Sequence, residues 1–320
     1  MVDPLEHRTK AEFGDRFEGA LLGLALGDAL GAPHEGGPFE RLLWRFVGRT
    51  RDGLRRWTDD TQMTLDIVDS LVECKAVELD DLAARVAKSY RWSRGYGPGA
   101  TKVLKRIRRG QDWRVARVAV YTDGSHGNGA AMRSPAVGLY FHWDIDRLWT
   151  QAGEVAAITH AHHLAVEGAQ LIAVTTALSL FDEPDLSLVQ VLRSKATAAE
   201  FIDRLEILES WIRKNEFPVP RQVGREFGRG MAATESVVTA ISVALLHRER
   251  AFEGLVNDSI AIGGDVDTIA AMAGAIWGAC NGASALPQER LTEVEGLERL
   301  RARSKLLLAA SHDASRGRSA

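Results

Sequence analysis

Apolar positions recur along most of the chain at three- and four-residue intervals, and alternation of period two is scarce, so the sequence predicts helices nearly throughout. In "RRWTDDTQMTLDIVDSL", Arg55 to Leu71, Met63, Ile67 and Val68 share a helical face that Leu65 and Leu71 widen. "RFEGALLGLALGDALGA", Arg16 to Ala32, reads as a core helix interrupted by Asp28. Its glycines, Gly19, Gly23, Gly27 and Gly31, are spaced by four and allow a neighbouring backbone to approach closely. Further helices are expected at 79–93, 100–109, 147–158, 164–181, 187–215 with a break near Lys195, 232–250, 251–259, 267–281 and 288–311. Asn215 to Gly230, with two prolines and three glycines, reads as a turn-rich connection. The polar stretch 312–320 reads as a disordered tail. No fixed-period repeat and no domain boundary stands out. The expectation is one compact, all-α, many-helix domain over 13–311, with functional loops between helices.

Composition changes this picture little. The chain has 320 residues, 45% hydrophobic and 26% charged, as expected of a soluble globular protein. Its 40 basic and 43 acidic residues give a net charge of -3, which provides no general pull toward nucleic acid or an anionic membrane. The local run "KVLKRIRRG", Lys102 to Gly110, reads as a solvated helix face. Cys74 and Cys280 are far apart in sequence and sit in apolar patterns, so both are expected as buried free thiols in a reducing, cytoplasmic setting. The N-terminus lacks an apolar signal core, and no uncharged run reaches the roughly 18 residues that span a bilayer.

The chemistry gathers at helix starts. Thr58, Asp59 and Asp60 put a hydroxyl and two carboxylates where a helix begins. Helix capping explains one aspartate but not the second. The same construction recurs after Gly263 and Gly264, as Asp265, Asp267 and Thr268. Oxygen-only ligands suit hard cations such as Mg²⁺ or Mn²⁺, and four gathered carboxylates would repel unless divalent cations neutralised them. "SHGNGAAMRSPAVG", Ser125 to Gly138, places Asn128 between two glycines before a small-residue helix, an arrangement whose open amides can take a phosphate. The histidines of "THAHH", Thr159 to His163, are too close together for a usual zinc site.

Taken together and in order, "GALLGLALGDALGAPHE", "WTDDTQMT", "GNGAAMRSPAVG", "ITHAHHLAVEGA" and "IGGDVDTIAAMAGAIWGA" resemble the ADP-ribosylglycohydrolase family, from about Phe17 to Gly282. The resemblance implies an all-α fold and two divalent cations, Mg²⁺ or Mn²⁺, in a cleft. It implies metal ligation by Thr58, Asp59, Asp60, Asp265, Asp267 and Thr268, with Asp60 and Asp267 in catalytic roles. It also implies that Glu35 lies near the metals and helps activate water or the leaving group. From the residues alone, Glu35 is a carboxylate in a Gly/Pro loop. Gly127, Asn128, Gly129 and Ala130 are the implied phosphate or ribose contacts, and His160 a substrate-side group. Arg133 is expected to brace the loop or the site's carboxylates, and His162 and His163 to cap or solvate the next helix.

Two segments bear on the acceptor. "RGYGPGATKVL", Arg94 to Leu104, has Tyr96 and glycines where nitrogenase-regulating members carry an aspartate. "GRGMAATESVVTAI", Gly228 to Ile241, resembles the branch acting on serine-linked and related O-linked ADP-ribose. The expected function is metal-dependent release of ADP-ribose from an ADP-ribosylated protein or small ADP-ribose derivative, O-linked in preference to arginine-linked, with Tyr96 shaping the leaving-group side. The expected partners include no membrane and no general nucleic acid, and the expected state is a monomer. Two alternatives remain: another dinuclear-metal hydrolase of nucleotide or phosphate esters, or a non-catalytic ADP-ribose-binding relative.

Overall fold

A computed structural model describes residues 10–316. Its helices are α1 (Lys10–Gly31), α2 (Pro38–Val47), α3 (Asp59–Cys74), α4 (Leu79–Ser89), α5 (Pro98–Arg108), α6 (Trp113–Ala116), α7 (Pro135–Tyr140), α8 (Ile145–Ala156), α9 (His163–Ser179), α10 (Asp185–Lys195), α11 (Ala199–Lys214), α12 (Pro220–Glu226), α13 (Ala233–Leu246), α14 (Phe252–Ile262), α15 (Val266–Asn281), α16 (Gln288–Thr292) and α17 (Leu297–Arg316). Among the described residues, extended pairing is limited to isolated bridges such as Gly127 with Ala232. No helix among them is long and apolar enough to cross a membrane. The all-α expectation holds.

The centre is made by helices buried nearly all round. Alanine, glycine and β-branched residues dominate α9, α13 and α15, and almost every position of α13 and α15 is buried. Helix α1 runs antiparallel to α15 with almost no side chains between them. A Cβ built on Gly19 would lie 2.4 Å from the Gly278 oxygen, on Gly23 2.2 Å from that of Gly274, and on Gly27 2.1 Å from that of Ala270. On Gly31 it would lie 2.7 Å from the Asp267 Cα. Each four-residue step along α1 meets a step of three or four residues back along α15. The regular glycine spacing therefore fixes both contact distance and register, and brings the C-terminal end of α1 to the start of α15.

Two helices, α11 and α3, are capped by acids from other helices. Buried Glu167 of α9 accepts from the amides of Thr197 (2.9 Å) and Ala198 (3.0 Å) and from the Thr197 hydroxyl (2.5 Å), fixing the start of α11. This is the break expected near Lys195. Asp28 of α1 does the same for α3.

Several local expectations are corrected. The supposed turn-rich connection contains α12, which begins at Pro220, a residue suited to a first helical turn. The 288–311 helix is split, because Arg55 to Trp57 pair with residues 293–295 between α16 and α17. Helix α17 continues to Arg316, so the expected tail disorder does not hold for 312–316, where Ser311 donates to the Tyr140 carbonyl (2.6 Å) and ties the helix end down. Residues 317–320 lie outside the described residues. Both cysteines are free, but only Cys280 is buried. Cys74 is half-buried and donates to Asp81 Oδ2 at 3.5 Å.

Candidate active site

The local clamp on Trp57 explains how the first Asp pair is presented. The Trp57 amide donates to Glu295 Oε1 (3.2 Å) and its indole N–H to the Glu295 carbonyl (3.1 Å). The Arg94 guanidinium stacks 3.7 Å from the Trp57 ring centre, donates to the Trp57 carbonyl (2.6 Å) and pairs with Glu295. The chain then enters α3 at Thr58. Asp28, fully buried, accepts from the Thr58 amide (2.8 Å), the Thr61 amide (3.1 Å) and the Thr61 hydroxyl (2.6 Å). Thr58 Oγ1 accepts from the Asp60 amide at 3.3 Å. Capping of α3 thus falls to Asp28 and Thr58. The carboxylates of Asp59 and Asp60 are left to line a cleft.

The second acid pair arrives through the glycine ladder. Gly263 and Gly264 adopt positive φ, 76° and 79°, and a Cβ at Gly264 would lie 1.8 Å from the Arg229 carbonyl oxygen. Only glycine allows the chain to turn here and hand the Asp265 amide to that carbonyl at 2.9 Å. Asp265 is the N-cap residue of α15, yet its side chain makes no capping bond. Its Oδ2 instead accepts from Asn128 Nδ2 at 2.7 Å, and Asn128 Nδ2 also reaches Ser236 Oγ at 3.0 Å. Across the ladder, the loop that follows α1 delivers Glu35. One carboxylate oxygen from each of Glu35, Asp265 and Asp267 lies within 4.8 Å of the other two.

Five carboxylates, Glu35, Asp59, Asp60, Asp265 and Asp267, line this cleft of about 400 Å³. Burial, reinforced by the nearby Asp28, holds Asp59 and Asp60 well above the usual carboxylate range. Burial and then Glu35 raise Asp267 likewise. Asp265 is raised by burial against the opposing pull of Asn128. Asp28, despite its three donors, is raised to about 6 by burial. Asp60 Oδ1 is buried with no hydrogen-bond partner, while its Oδ2 accepts from the Thr58 hydroxyl at 2.9 Å. A carboxylate oxygen buried without a donor and facing other carboxylates calls for a cation. An all-oxygen donor set fits hard divalent ions such as Mg²⁺ or Mn²⁺.

The opposite wall carries the glycine loop. Asn128 donates its amide to the Met231 carbonyl (2.8 Å) and Ala233 donates to the His126 carbonyl (2.9 Å), pinning the loop to the start of α13. Buried Arg133 donates to the Gly129 carbonyl and to Thr159 Oγ1, both at 2.7 Å, which is the bracing role expected of it. Thr159 Oγ1 lies 2.8 Å from His160 Nδ1, and the His160 ring packs against Gly127 and Gly129. Burial and then the Arg133 charge push His160 down to about 3, so it is neutral near pH 7. His162 caps α9, accepting from the Leu164 amide at 3.3 Å.

Of the residues singled out from sequence, the cleft collects Glu35, Asp59, Asp60, Asp265, Asp267 and Thr268, together with Gly127, Asn128, Gly129 and His160. Three fall outside its lining. Thr58 sits behind Asp60 and touches the cleft only through it. Ala130 is buried. Tyr96 is a correction: its ring turns inward against Tyr90, centroids 4.9 Å apart, and its neighbours Gly95 and Gly97 form the wall instead. The phosphate-contact reading also narrows. The amides of Gly127 and Asn128 are engaged by Ser125 Oγ and the Met231 carbonyl. Gly129, in the first turn of a 3-10 helix, keeps an amide without an intrahelical partner, whereas the Ala130 amide is taken up by that turn. Sequence reasoning missed Asp28 as a supporting group, and Tyr121, Met63 and Met132 as lining. Asp28 had a signal: a lone carboxylate inside a small-residue, apolar helix needs buried donors.

A family model described as ADP-ribosylglycohydrolase matches residues 9–317. A protein from Danio rerio named ADP-ribosylhydrolase ARH3 is 34% identical, over 88% of this chain and 87% of the relative. The Homo sapiens protein of that name is 33% identical, over 88% of this chain and 90% of its own length. A solved structure titled ADP-ribosylglycohydrolase-related protein complex superimposes with a TM-score of 0.71 at 27% identity, covering 94% of this chain and 99% of that one.

Proposed function

The chain belongs to the ADP-ribosylglycohydrolase family, and from that premise we propose that it is a divalent-metal-dependent hydrolase releasing ADP-ribose from an ADP-ribosylated acceptor. The observation that carries the metal part is the buried, unpartnered Asp60 Oδ1 within a wall of five carboxylates. Two ions of the Mg²⁺ or Mn²⁺ type would be held by Thr58, Asp59 and Asp60 on one side and Asp265, Asp267 and Thr268 on the other. When bound, they supply charge compensation and polarise a water and ribose hydroxyls. Glu35, beside Asp265 and Asp267, orients the attacking water and accepts its proton as positive character grows at the anomeric carbon. The bond from that carbon to the acceptor breaks with its electron pair going to the acceptor atom, which is then protonated. The Gly129 amide suits the remote phosphates, whose binding holds the reacting end in place.

The direct test is product analysis on a serine-linked ADP-ribosylated peptide, with and without a chelator. Free ADP-ribose released only in the presence of divalent ions is expected. Release of phosphate or a nucleotide would favour a different dinuclear hydrolase.

Glu35→Gln keeps the shape of the side chain and removes the proton acceptor. It is expected to lower kcat by about 10²–10⁴-fold with the dissociation constant for ADP-ribose roughly unchanged. Wild-type turnover would move the proton-transfer role to one of the aspartates.

What borders the cleft beside Asp59 supports an O-linked acceptor. Gly95, Gly97, Pro98, Gly99 and Ala100 bring no charge there. Glu235, the acid best placed in sequence to compensate, packs against Gly228 and Gly230 and is not part of the lining. A guanidinium leaving group gains from a facing carboxylate, whereas a serine oxygen needs none. A serine-linked peptide is therefore expected to show the higher kcat/KM in a side-by-side assay with an arginine-linked one. An advantage for the arginine-linked peptide would remove this preference and leave the hydrolase assignment standing.

A further inference from the structure

Charge is distributed very unevenly along this chain. Between Arg85 and Arg117 there are eleven arginines and lysines and one carboxylate, Asp112. This stretch has an excess of ten positive charges, which leaves an excess of thirteen negative charges on the rest of a chain whose net charge is -3. The stretch folds as the end of α4, α5 and α6. Arg85, Arg94 and Arg114 are each paired with carboxylates. Lys88, Arg91, Lys102, Lys105, Arg106, Arg108 and Arg109 are all exposed, and among the described residues none of these seven forms an ion pair. Lys102, Lys105, Arg106 and Arg109 with Gln111 enclose one concavity of about 420 Å³, and Lys88, Arg91 and Arg108 border a second, whose far side carries Asp80 and Asp112 beside Arg114. The N-terminal turn of α5, Pro98 to Ala100, is itself a wall of the acid-lined cleft. The cationic face therefore begins where an acceptor would leave that cleft.

We propose that this face docks an acidic segment of the acceptor protein flanking its ADP-ribosylated residue. The proposal rests on the reading of the cleft as an ADP-ribosylglycohydrolase site. Like charges crowded on one helix without carboxylate partners repel one another, and a matching anion relieves that repulsion. The size of the face selects the kind of anion. Helix α5 has 11 residues, so the face is about 16 Å long at ~1.5 Å per residue. That length accommodates about five residues of extended peptide at ~3.3–3.6 Å each. A long polyanion such as nucleic acid would run past the face onto a surface with excess negative charge. A short acidic segment would not.

The test uses the full chain and two serine-linked ADP-ribosylated peptides of one length, one with glutamates beside the modified serine and one with glutamines. The wild type is expected to favour the glutamate peptide by about tenfold in kcat/KM, mainly through KM. That advantage should shrink as salt shortens the screening length. Lys102→Glu/Arg106→Glu/Arg109→Glu should abolish or invert the preference while leaving turnover of a small ADP-ribose ester unchanged, which also reports that the variant is folded. Lys102→Gln/Arg106→Gln/Arg109→Gln should give an intermediate result. Equal rates on the two peptides with wild type would overturn the proposal. So would an unmodified single-stranded oligonucleotide inhibiting more strongly than an unmodified glutamate peptide of equal charge. If neither peptide is cleaved but the unmodified glutamate peptide still binds the wild type and not the triple Glu variant, the docking face stands and the cleft reading fails.

Discussion

Asp60→Asn is expected to abolish release of ADP-ribose and, in the same protein without divalent ions, to raise thermal stability. The two effects have one cause. Asp60 is buried, is held well above the usual carboxylate range by burial and then by Asp28 and Asp59, and has one oxygen without a donor. In the absence of cations its charge opposes folding, so a neutral side chain of nearly the same shape relieves that opposition. The charge it removes is the one proposed to hold a cation. In the wild type, Mg²⁺ or Mn²⁺ at 100 times its dissociation constant should stabilise by about 2.7 kcal/mol. At about 2–4 °C per kcal/mol for a chain of a few hundred residues, that is a readily measured rise in Tm. In Asp60→Asn the rise should largely disappear. Paired melting curves with chelator and with added metal, run beside an activity assay, read all three quantities. Full activity of a chelated wild-type preparation would sink the metal mechanism. A metal-dependent rise in Tm that persists unchanged in Asp60→Asn would sink the role of Asp60 in it.

Gly23→Ala is expected to be severely damaging for a change of one methyl group. The added Cβ would stand 2.2 Å from the Gly274 oxygen, and backbone on both sides leaves no flexible side chain to yield. The cost should exceed the about 1–3 kcal/mol of ordinary overpacking. Activity should fall as well, because pushing α1 from α15 separates Glu35 from Asp267. Gly14, in the same helix but outside the ladder, provides the control. A Cβ there meets nothing nearer than Leu308 Cδ2 at 3.6 Å. Gly14→Ala should be neutral or stabilising by up to about 1 kcal/mol, since alanine is the better helix former. Equal melting temperatures for the two variants would show that the ladder is not the tight contact described.

The fold class and the two acid clusters were legible because their signals are local. Helical periodicity, the four-residue glycine spacing and the Asp/Thr pairs at helix starts each fit within a few turns of chain. The partnerships were not local. That Asp28 caps α3, freeing Asp59 and Asp60, depends on bonds across 30 and 33 residues. That Asn128 steadies Asp265 depends on one across 137. Tyr96 shows the opposite failure: an aromatic in a glycine loop looked like a cleft residue, but its ring is buried against Tyr90, behind the cleft wall, and that burial, with Asp59 and Asp66 still near enough to add to it, pushes its hydroxyl up. The short helices α6 and α12 escaped notice because so few turns carry little periodicity, whereas α2 was passed over although Leu42, Leu43, Phe46 and Val47 fall at helical spacing.

The ladder also sets when the site can exist. The acid pair of α3 is capped by Asp28 of α1, a contact between neighbouring stretches, but the Trp57 clamp that presents it waits for Glu295. The counterpart of that pair lies more than two hundred residues later in α15, and closing so long a loop is a slow, high-contact-order event. A chain released short of α15 would carry half of the acid wall with nothing to face it and an α1 whose glycine edge is bare. The long-range register therefore ties the chemistry to completion of the polypeptide: docking the fifteenth helix against the first is the folding step that assembles the cleft.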